Sequence, residues 1–533
     1  MRGSSSRSVF AAWFAALAVL AIAECIARAT VPPPRAALQA VADARRRLGS
    51  CATAQAVGGE QRWVSTSANE VRRFAVPRRP QPGRSRVVVI GESGAAMLGD
   101  RLLELVDTRG LGETVEVLPC ADEGASLEQI RLRFDEAVSV GADAVVLLLG
   151  HNLAIRYPTV RWGLRARDLL LRSRLVAGLA SWLEPPPAAA PMDVSARRVA
   201  ELRRWLRQAA VVARSRGARL VVVAVGANLE VPPPVPEHDY FDPDLLEARW
   251  LWAGGERERA LGVLGERLSR EPSAYLHFVR ARWLDHSGRR DRALEDYAAA
   301  RDVRQSPRDR ATGAVLSALT ELSDEEGVAV VAEGVAAEER YGWGRWRDHC
   351  HLTRAANFEV ADRVLGVLQS TQGDARTFPG GPVETLATRL ARIAGYAATG
   401  GRAGERRWRD AATTAVEYGF DYEDDAEAAL AEFLAGPVLE ATRPPAVRAS
   451  VLEGIAEGLR AAGRRDLAAA VAGRARGLGQ SSSSVQQALW SVADSALDRA
   501  RAHIAAALER EPERPDALHY ARRLAVTKRA TPR

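Results

Sequence analysis

Short, uniformly apolar runs alternate with stretches of helical periodicity over much of the first 370 residues. Val87 to Ile90 is β-branched and apolar throughout, the pattern of a strand buried on both faces. Gly91-Glu92-Ser93-Gly94 punctuates it, and Ala95 to Val106 reads as a helix. The alternation recurs with a strand at Glu113 to Leu118, a helix at Ser126 to Val138 and a strand at Ala144 to Leu149. A helical region over about 195–216 leads to a fourth strand at Arg219 to Val225. Gly327 to Val331 gives a fifth, and a helix over about 355–369 closes the series. This order predicts an α/β fold of three layers, α/β/α, around a mostly parallel sheet with right-handed crossovers.

The pattern changes twice. After the proline run at 232–236, Asp244 to Ser269 and Ala274 to Val303 read as helical pairs with glycines at the turns. Small residues and glycine turns recurring at about 34 residues are a tetratricopeptide-like signature. Tyr275, Phe278, Trp283 and Tyr297 fall at helical spacing and read as packing residues. Beyond about 375 the chain is rich in Ala and Arg and helical, with breaks expected at Gly401 and Gly404, Gly436-Pro437, Pro444-Pro445, Gly479 and Glu511-Pro512. Arg448–Ala462 and Arg464–Leu478 read as a helix pair turning at Gly463. The expected division is 86–241 and 311–370 as two parts of one α/β domain, 242–310 as the helical insertion, and 371–533 as an α-helical, repeat-like domain that binds protein partners. Residues 30–85 read as a connecting region.

The N-terminus adds a location. Arg2 and Arg7 precede an uncharged run from Ser8 to Ala23, ended by Glu24. Residues 1–29 therefore read as a cleaved signal peptide or a retained signal-anchor, and either places the body outside the cytoplasm, in the periplasm or at the inner membrane. Membrane contact is expected only through this segment, if it is uncleaved. Four cysteines, at 25, 51, 120 and 350, are too scattered for a disulfide scaffold, and no C-x-x-C pair suggests structural zinc. A net charge of +7 from 74 basic and 67 acidic residues is a mild excess with no basic tract interleaved with aromatics, so nucleic-acid binding is not expected.

In a parallel sheet, ligands sit beyond the carboxyl ends of the strands. Ser93 follows the first strand, Asn152 the third, and Asp348-His349-Cys350-His351 lies well after the last. Asp348 and His351 are spaced so that a carboxylate can orient an imidazole, as a general base requires. His349 is a local rival for that role. Metal ligation by His349 and His351 lacks a third ligand by spacing, so neither metal nor cofactor is expected. Gly91-x-Ser93 followed by Ala95 is not the G-x-S-x-G nucleophile elbow.

These residues together resemble the SGNH/GDSL hydrolase superfamily. Gly91-Glu92-Ser93 is similar to its first block, Gly124 to the glycine of the second, Gly150-His151-Asn152 to the third, and Asp348-x-x-His351 to the last. The chain looks like the subgroup with Gly-His-Asn in the third block and a tetratricopeptide-like insertion before the last. The resemblance implies Ser93 as nucleophile, His351 as base and Asp348 as its orienter. It implies an oxyanion hole from the backbone N–H groups of Ser93 and Gly124 and the Asn152 amide. Glu92 stands where the family usually has Asp or a small residue, and Leu153 where the subgroup often has Glu. The implied activity is a serine esterase acting on a short acyl ester of an envelope glycan or lipid. The alternatives are an O-acyltransferase with the same triad, and a catalytically silent membrane-anchored scaffold that binds proteins through its helices.

Overall fold

The computed structural model describes residue 23 and residues 52–57, 60–66, 73–78, 80–153, 196–303, 310–334, 342–369, 384–399, 401–442, 444–478 and 482–530. The chain forms two compact units. One comprises Met1–Met192 with Trp205–Leu220, the other Asp193–Arg204 with Val221–Arg533. The apolar N-terminal run lies outside the described residues except for Ala23. Among the described residues no helix is long and apolar enough to cross a membrane.

The stretch expected to be a connector carries a sheet of its own. Strands β1 (Ala52–Val57), β2 (Glu60–Thr66) and β3 (Arg73–Pro77) pair antiparallel in that order. The first tie between Val57 and Glu60 puts only two residues between β1 and β2.

The fold is mixed α/β, with a five-stranded parallel sheet beside a large helical content. The strands are β4 (Ser85–Gly91), β5 (Val115–Pro119), β6 (Ala144–Leu148), β7 (Arg219–Val225) and β8 (Val328–Glu333), in the order β5-β4-β6-β7-β8. Val88, Val89, Ile90, Val145, Val146 and Leu147 are fully buried, which is why these strands read as unbroken apolar runs rather than alternating ones. β4 pairs parallel to both β5 and β6. The strand order therefore reverses at β4 and β6, and in such sheets the crevice for a ligand opens beyond the strand ends at that reversal. Helices α1 (Ser93–Thr108) and α2 (Leu127–Ser139) follow β4 and β5. Arg86, without solvent exposure, anchors the start of β4. Its guanidinium pairs with Glu116 of β5 at 2.6 Å and donates to the carbonyls of Val140 and Pro77, so one buried ion serves four chain segments.

In the second unit the helices come in hairpins with a common turn. Four pairs share it: Pro243–Ala253 with Arg257–Arg270, Ala274–His286 with Arg290–Asp302, Pro445–Ala461 with Arg465–Gly477, and Ser482–Ala493 with Leu497–Arg510. In each, an amide reaches back five residues to a carbonyl near the end of the first helix: Glu256 to Leu251 (2.9 Å), Arg289 to Leu284 (2.9 Å), Arg464 to Leu459 (2.8 Å) and Ala496 to Ser491 (2.7 Å). The residue just before each amide is left-handed: Gly255, Gly288, Gly463 and Ser495, with φ of 85°, 72°, 77° and 58°. This is the Schellman stop, which needs a left-handed residue after the helix. The insertion and the C-terminal region are thus built from the same helical hairpin. Tyr275, Phe278 and Tyr297 are core residues of the insertion, with Trp283 packed against them. The break expected at Gly401 is there, since one helix ends at Thr399 and the next opens at Gly401, but Gly404 makes none and lies inside the continuous helix Gly401–Tyr422.

Candidate active site

Within the first unit, three sequence blocks converge at the ends of β4 and β6. Gly91 has φ +145°, and a Cβ there would lie 1.8 Å from the Leu148 carbonyl oxygen. Only glycine allows β4 and β6 to stay in contact where the chain turns out of the sheet. Ser93 then opens α1 as its first residue and is half-buried. The loop after β5 runs alongside, with Cys120 N–H donating to the Val89 carbonyl and Asp122 N–H to that of Gly91. Gly124 sits in this loop with φ +65°. Just beyond it Ser126 caps α2, its hydroxyl accepting from the Gln129 amide while the Gln129 side chain accepts from the Ser126 amide.

Glu92, one of the two departures from the resembled pattern, is fully engaged by backbone. Its carboxylate is 2% exposed and accepts three backbone N–H groups, from Gly150, His151 and Asn152, each at 3.0 Å. Consecutive amides turned to one anion make a nest, and a buried carboxylate is stable only when so satisfied. A shorter side chain would give the carboxylate less reach toward these amides. The long carboxylate beside Ser93 thus fixes the loop that carries Asn152. Leu153, the other departure, is buried at 2% exposure.

The second unit holds the other half. Trp346 and Leu352 pair as an isolated antiparallel bridge, and Arg347 N–H donates to the His351 carbonyl at 2.7 Å. These bonds close a tight loop around Asp348, whose Oδ1 accepts the backbone N–H of Cys350 (3.0 Å) and of His351 (2.9 Å). His351 Nδ1 lies 3.0 Å from Oδ1 and 2.9 Å from Oδ2. His349 Nδ1 is 3.8 Å from the same carboxylate, so the geometry separates the two histidines in favour of His351. Burial raises the Asp348 carboxyl, but the His351 hydrogen bond, the neighbouring imidazoles and the Cys350 amide outweigh it and hold it well below the usual carboxylate range. An ionised carboxylate only accepts, so Nδ1 of His351 carries the proton and Nε2 is left as the basic nitrogen.

One participant was not foreseen. The Tyr396 hydroxyl, from the helix Leu386–Thr399, donates to Asp348 Oδ2 at 3.0 Å. Its ring stacks on Trp408, 4.8 Å away and 23° from parallel. Trp343, just upstream of the loop, donates its indole N–H to Thr414 at 3.0 Å. Helices beyond residue 370 therefore hold the Asp348 loop, although the sequence reading assigned them to a separate domain. Asp348, Cys350 and His351 also place donor atoms within 4.8 Å of one another, the group among the described residues able to hold a metal ion. Spacing had not supplied Cys350 as a third donor.

Ser93, Gly124 and Asn152 thus belong to the first unit, and Asp348 and His351 to the second. The first set sits at the strand-order reversal; the second forms an oriented acid–imidazole pair. Comparison with protein-family models, with curated proteins and with solved structures yields no match.

Proposed function

We propose that the chain is a serine esterase of the SGNH type, with a flavodoxin-like α/β domain, a tetratricopeptide-like insertion and an acyl-enzyme formed on Ser93. The observation that carries this reading is the pair formed by buried, ionised Asp348 and Nδ1 of His351, which leaves Nε2 free of the proton. In the proposed reaction Nε2 takes the Ser93 hydroxyl proton as Oγ attacks the ester carbonyl. The same proton passes to the departing alkoxide, and water reverses the sequence to release the acid. The amides of Ser93 and Gly124 and the Asn152 side chain would carry the oxyanion, each such donor being worth about 3 kcal/mol of barrier. Commitment of the Glu92 carboxylate to three backbone amides favours a working site over a silent scaffold, since it removes the long carboxylate as an objection. Transfer to an acceptor hydroxyl would use the same groups.

The substrate reading remains a short acyl ester of an envelope glycan or lipid. Cys120 is disulfide-bonded, which supports an oxidising, extracytoplasmic compartment. The test is covalent capture of the full chain by a fluorophosphonate probe, with Ser93→Ala in parallel. A single adduct lost in the variant is expected. A folded wild type that takes no probe and cleaves no small acetyl ester would overturn the proposal.

A further inference from the structure

Apart from the Asp348 loop, the second unit holds an open cavity of about 670 Å³ between the insertion helices and the C-terminal helices. That volume lies in the range of small-molecule sites. Its wall carries buried charge. The Tyr275 hydroxyl accepts from Arg249 at 2.9 Å and donates to Asp410 at 2.8 Å. Arg409 pairs with Asp410 at 2.8 Å, and Arg282 with Glu417 at 2.6 Å. Desolvating ions is costly, and apolar packing of similar volume is often the more stable alternative. Part of the same wall uses that alternative, where Val485, Leu489 and Tyr520 belong to one apolar cluster with Leu246 and Trp250. Charge kept in a cavity of ligand size suggests a ligand that meets it.

Arg257, also in the wall, sits with its guanidinium over the Trp252 ring at 5.4 Å, and pairing the other ions leaves Arg249 and Glu457. Arg249 has the Tyr275 hydroxyl and the face of Tyr240, 4.8 Å away, and no carboxylate partner among the described residues. Most of its five N–H donors are uncommitted. Glu457 lines the same cavity without an ion pair or hydrogen bond among the described residues. Between the charges the wall is aromatic: the indoles of Trp252 and Trp283 are stacked 4.7 Å apart and 8° from parallel, with both rings lining the cavity.

A guanidinium without an ion pair, a carboxylate in the field of Arg409, Arg282 and Arg249 but bonded to none of them, and flat indole surface together define a complementary ligand. We propose that this cavity binds a zwitterionic amino acid with an aromatic side chain, its carboxylate at Arg249, its ammonium at Glu457 and its ring against Trp283. This does not depend on the serine chemistry.

Titration calorimetry of the full chain tests it with L-tryptophan, L-phenylalanine, N-acetyl-L-tryptophan, which lacks the ammonium, and tryptamine, which lacks the carboxylate. The free amino acids should bind saturably, and each analogue about tenfold or more weaker, as expected for one lost charge-assisted contact. Arg249→Met should equalise L-tryptophan and tryptamine, and Glu457→Gln should equalise L-tryptophan and its acetyl derivative. If either variant fails to fold, the wild-type ligand series still decides. Absence of saturable binding by both amino acids, or equal binding of tryptophan and its two analogues, overturns the proposal.

Discussion

The Tyr396 hydroxyl and the Asp348 carboxylate are joined by a 3.0 Å hydrogen bond between residues 48 apart in sequence. Asp348 Oδ2 is shared between Tyr396 and His351 Nδ1, so the tyrosine helps fix the plane in which the carboxylate meets the imidazole. It acts through Asp348 and is a positioning residue. Tyr396→Phe keeps the ring stacked on Trp408 and removes only the hydroxyl. A hydrogen bond to a charged group contributes about 1.5–3 kcal/mol, so probe capture at Ser93 should slow by roughly tenfold or more. Ester hydrolysis should show the loss in kcat with KM little changed, and a variant that labels at the wild-type rate would remove Tyr396 from the site.

Glu92 makes a different demand. Glu92→Gln keeps the length but turns one oxygen into an NH2 donor facing backbone N–H groups that need acceptors. Losing charge-assisted bonds and leaving buried amides unpaired should cost about 2–4 kcal/mol. The urea midpoint should fall, and labelling of Ser93 should drop although Ser93, Asp348 and His351 are all still present. Glu92→Asp should behave similarly, because a shorter side chain has less reach toward the 150–152 amides. Unchanged stability in both would show that the nest is held by something other than this carboxylate.

Gly91→Ala tests the end of β4. The added Cβ would lie 1.8 Å from a backbone oxygen of Leu148, at a φ of +145° that non-glycine residues rarely adopt. The Cβ is fixed by the backbone and the oxygen is part of it, so neither can swing away. The expected outcome is loss of the cooperative unfolding transition, or insoluble protein, read by circular dichroism. A soluble variant with wild-type melting would require β4 and β6 to separate at this point.

What was legible in the sequence follows from how local each signal is. β4, β6 and β7 announce themselves because strands buried on both faces are continuous apolar runs, and Ser93 and Asn152 follow directly from where those runs stop. Asp348 and His351 show through their three-residue spacing. Tyr396 carries no such mark: it reaches Asp348 only through packing of helices that the sequence places in another domain. The bonds from Glu92 to residues 150–152 span 58 to 60 positions, so the sequence shows an unusual residue without its partner. The three-stranded sheet had a local signal that the reading passed over. Gly58-Gly59 lies between β1 and β2, the kind of dipeptide that marks a hairpin, but the arginines and prolines nearby made the whole stretch look like a connector. Gly404 misled in the other direction, since one glycine inside a well-packed helix costs only about 1 kcal/mol.

Glu230 and His286 line a second cavity, of about 500 Å³, and their linkages to pH have opposite signs. Burial pushes the Glu230 carboxyl from 4.5 up to about 7, with Asp285 and Glu417 adding to the rise against the Trp343 N–H bond. Below pH 4.5 the folded and unfolded states both hold the proton. Between pH 4.5 and 7 only the folded state keeps it, so stability falls as pH rises, by on the order of 3 kcal/mol in full. Burial, aided by Arg282, lowers His286 from 6.5 to about 4. Between pH 6.5 and 4 the unfolded state takes up a proton that the folded state does not, so His286 contributes stability that rises with pH across that window. Glu230→Gln removes the falling contribution, keeps an oxygen for the Trp343 amide and leaves the rising one. The variant should match wild type near pH 4.5, exceed it at pH 8, and show a urea midpoint that climbs from pH 4 to 6.5. Identical midpoints at pH 8 would mean that Glu230 ionises there without penalty, and that water or a bound cation in the cavity supplies the solvation its burial removes.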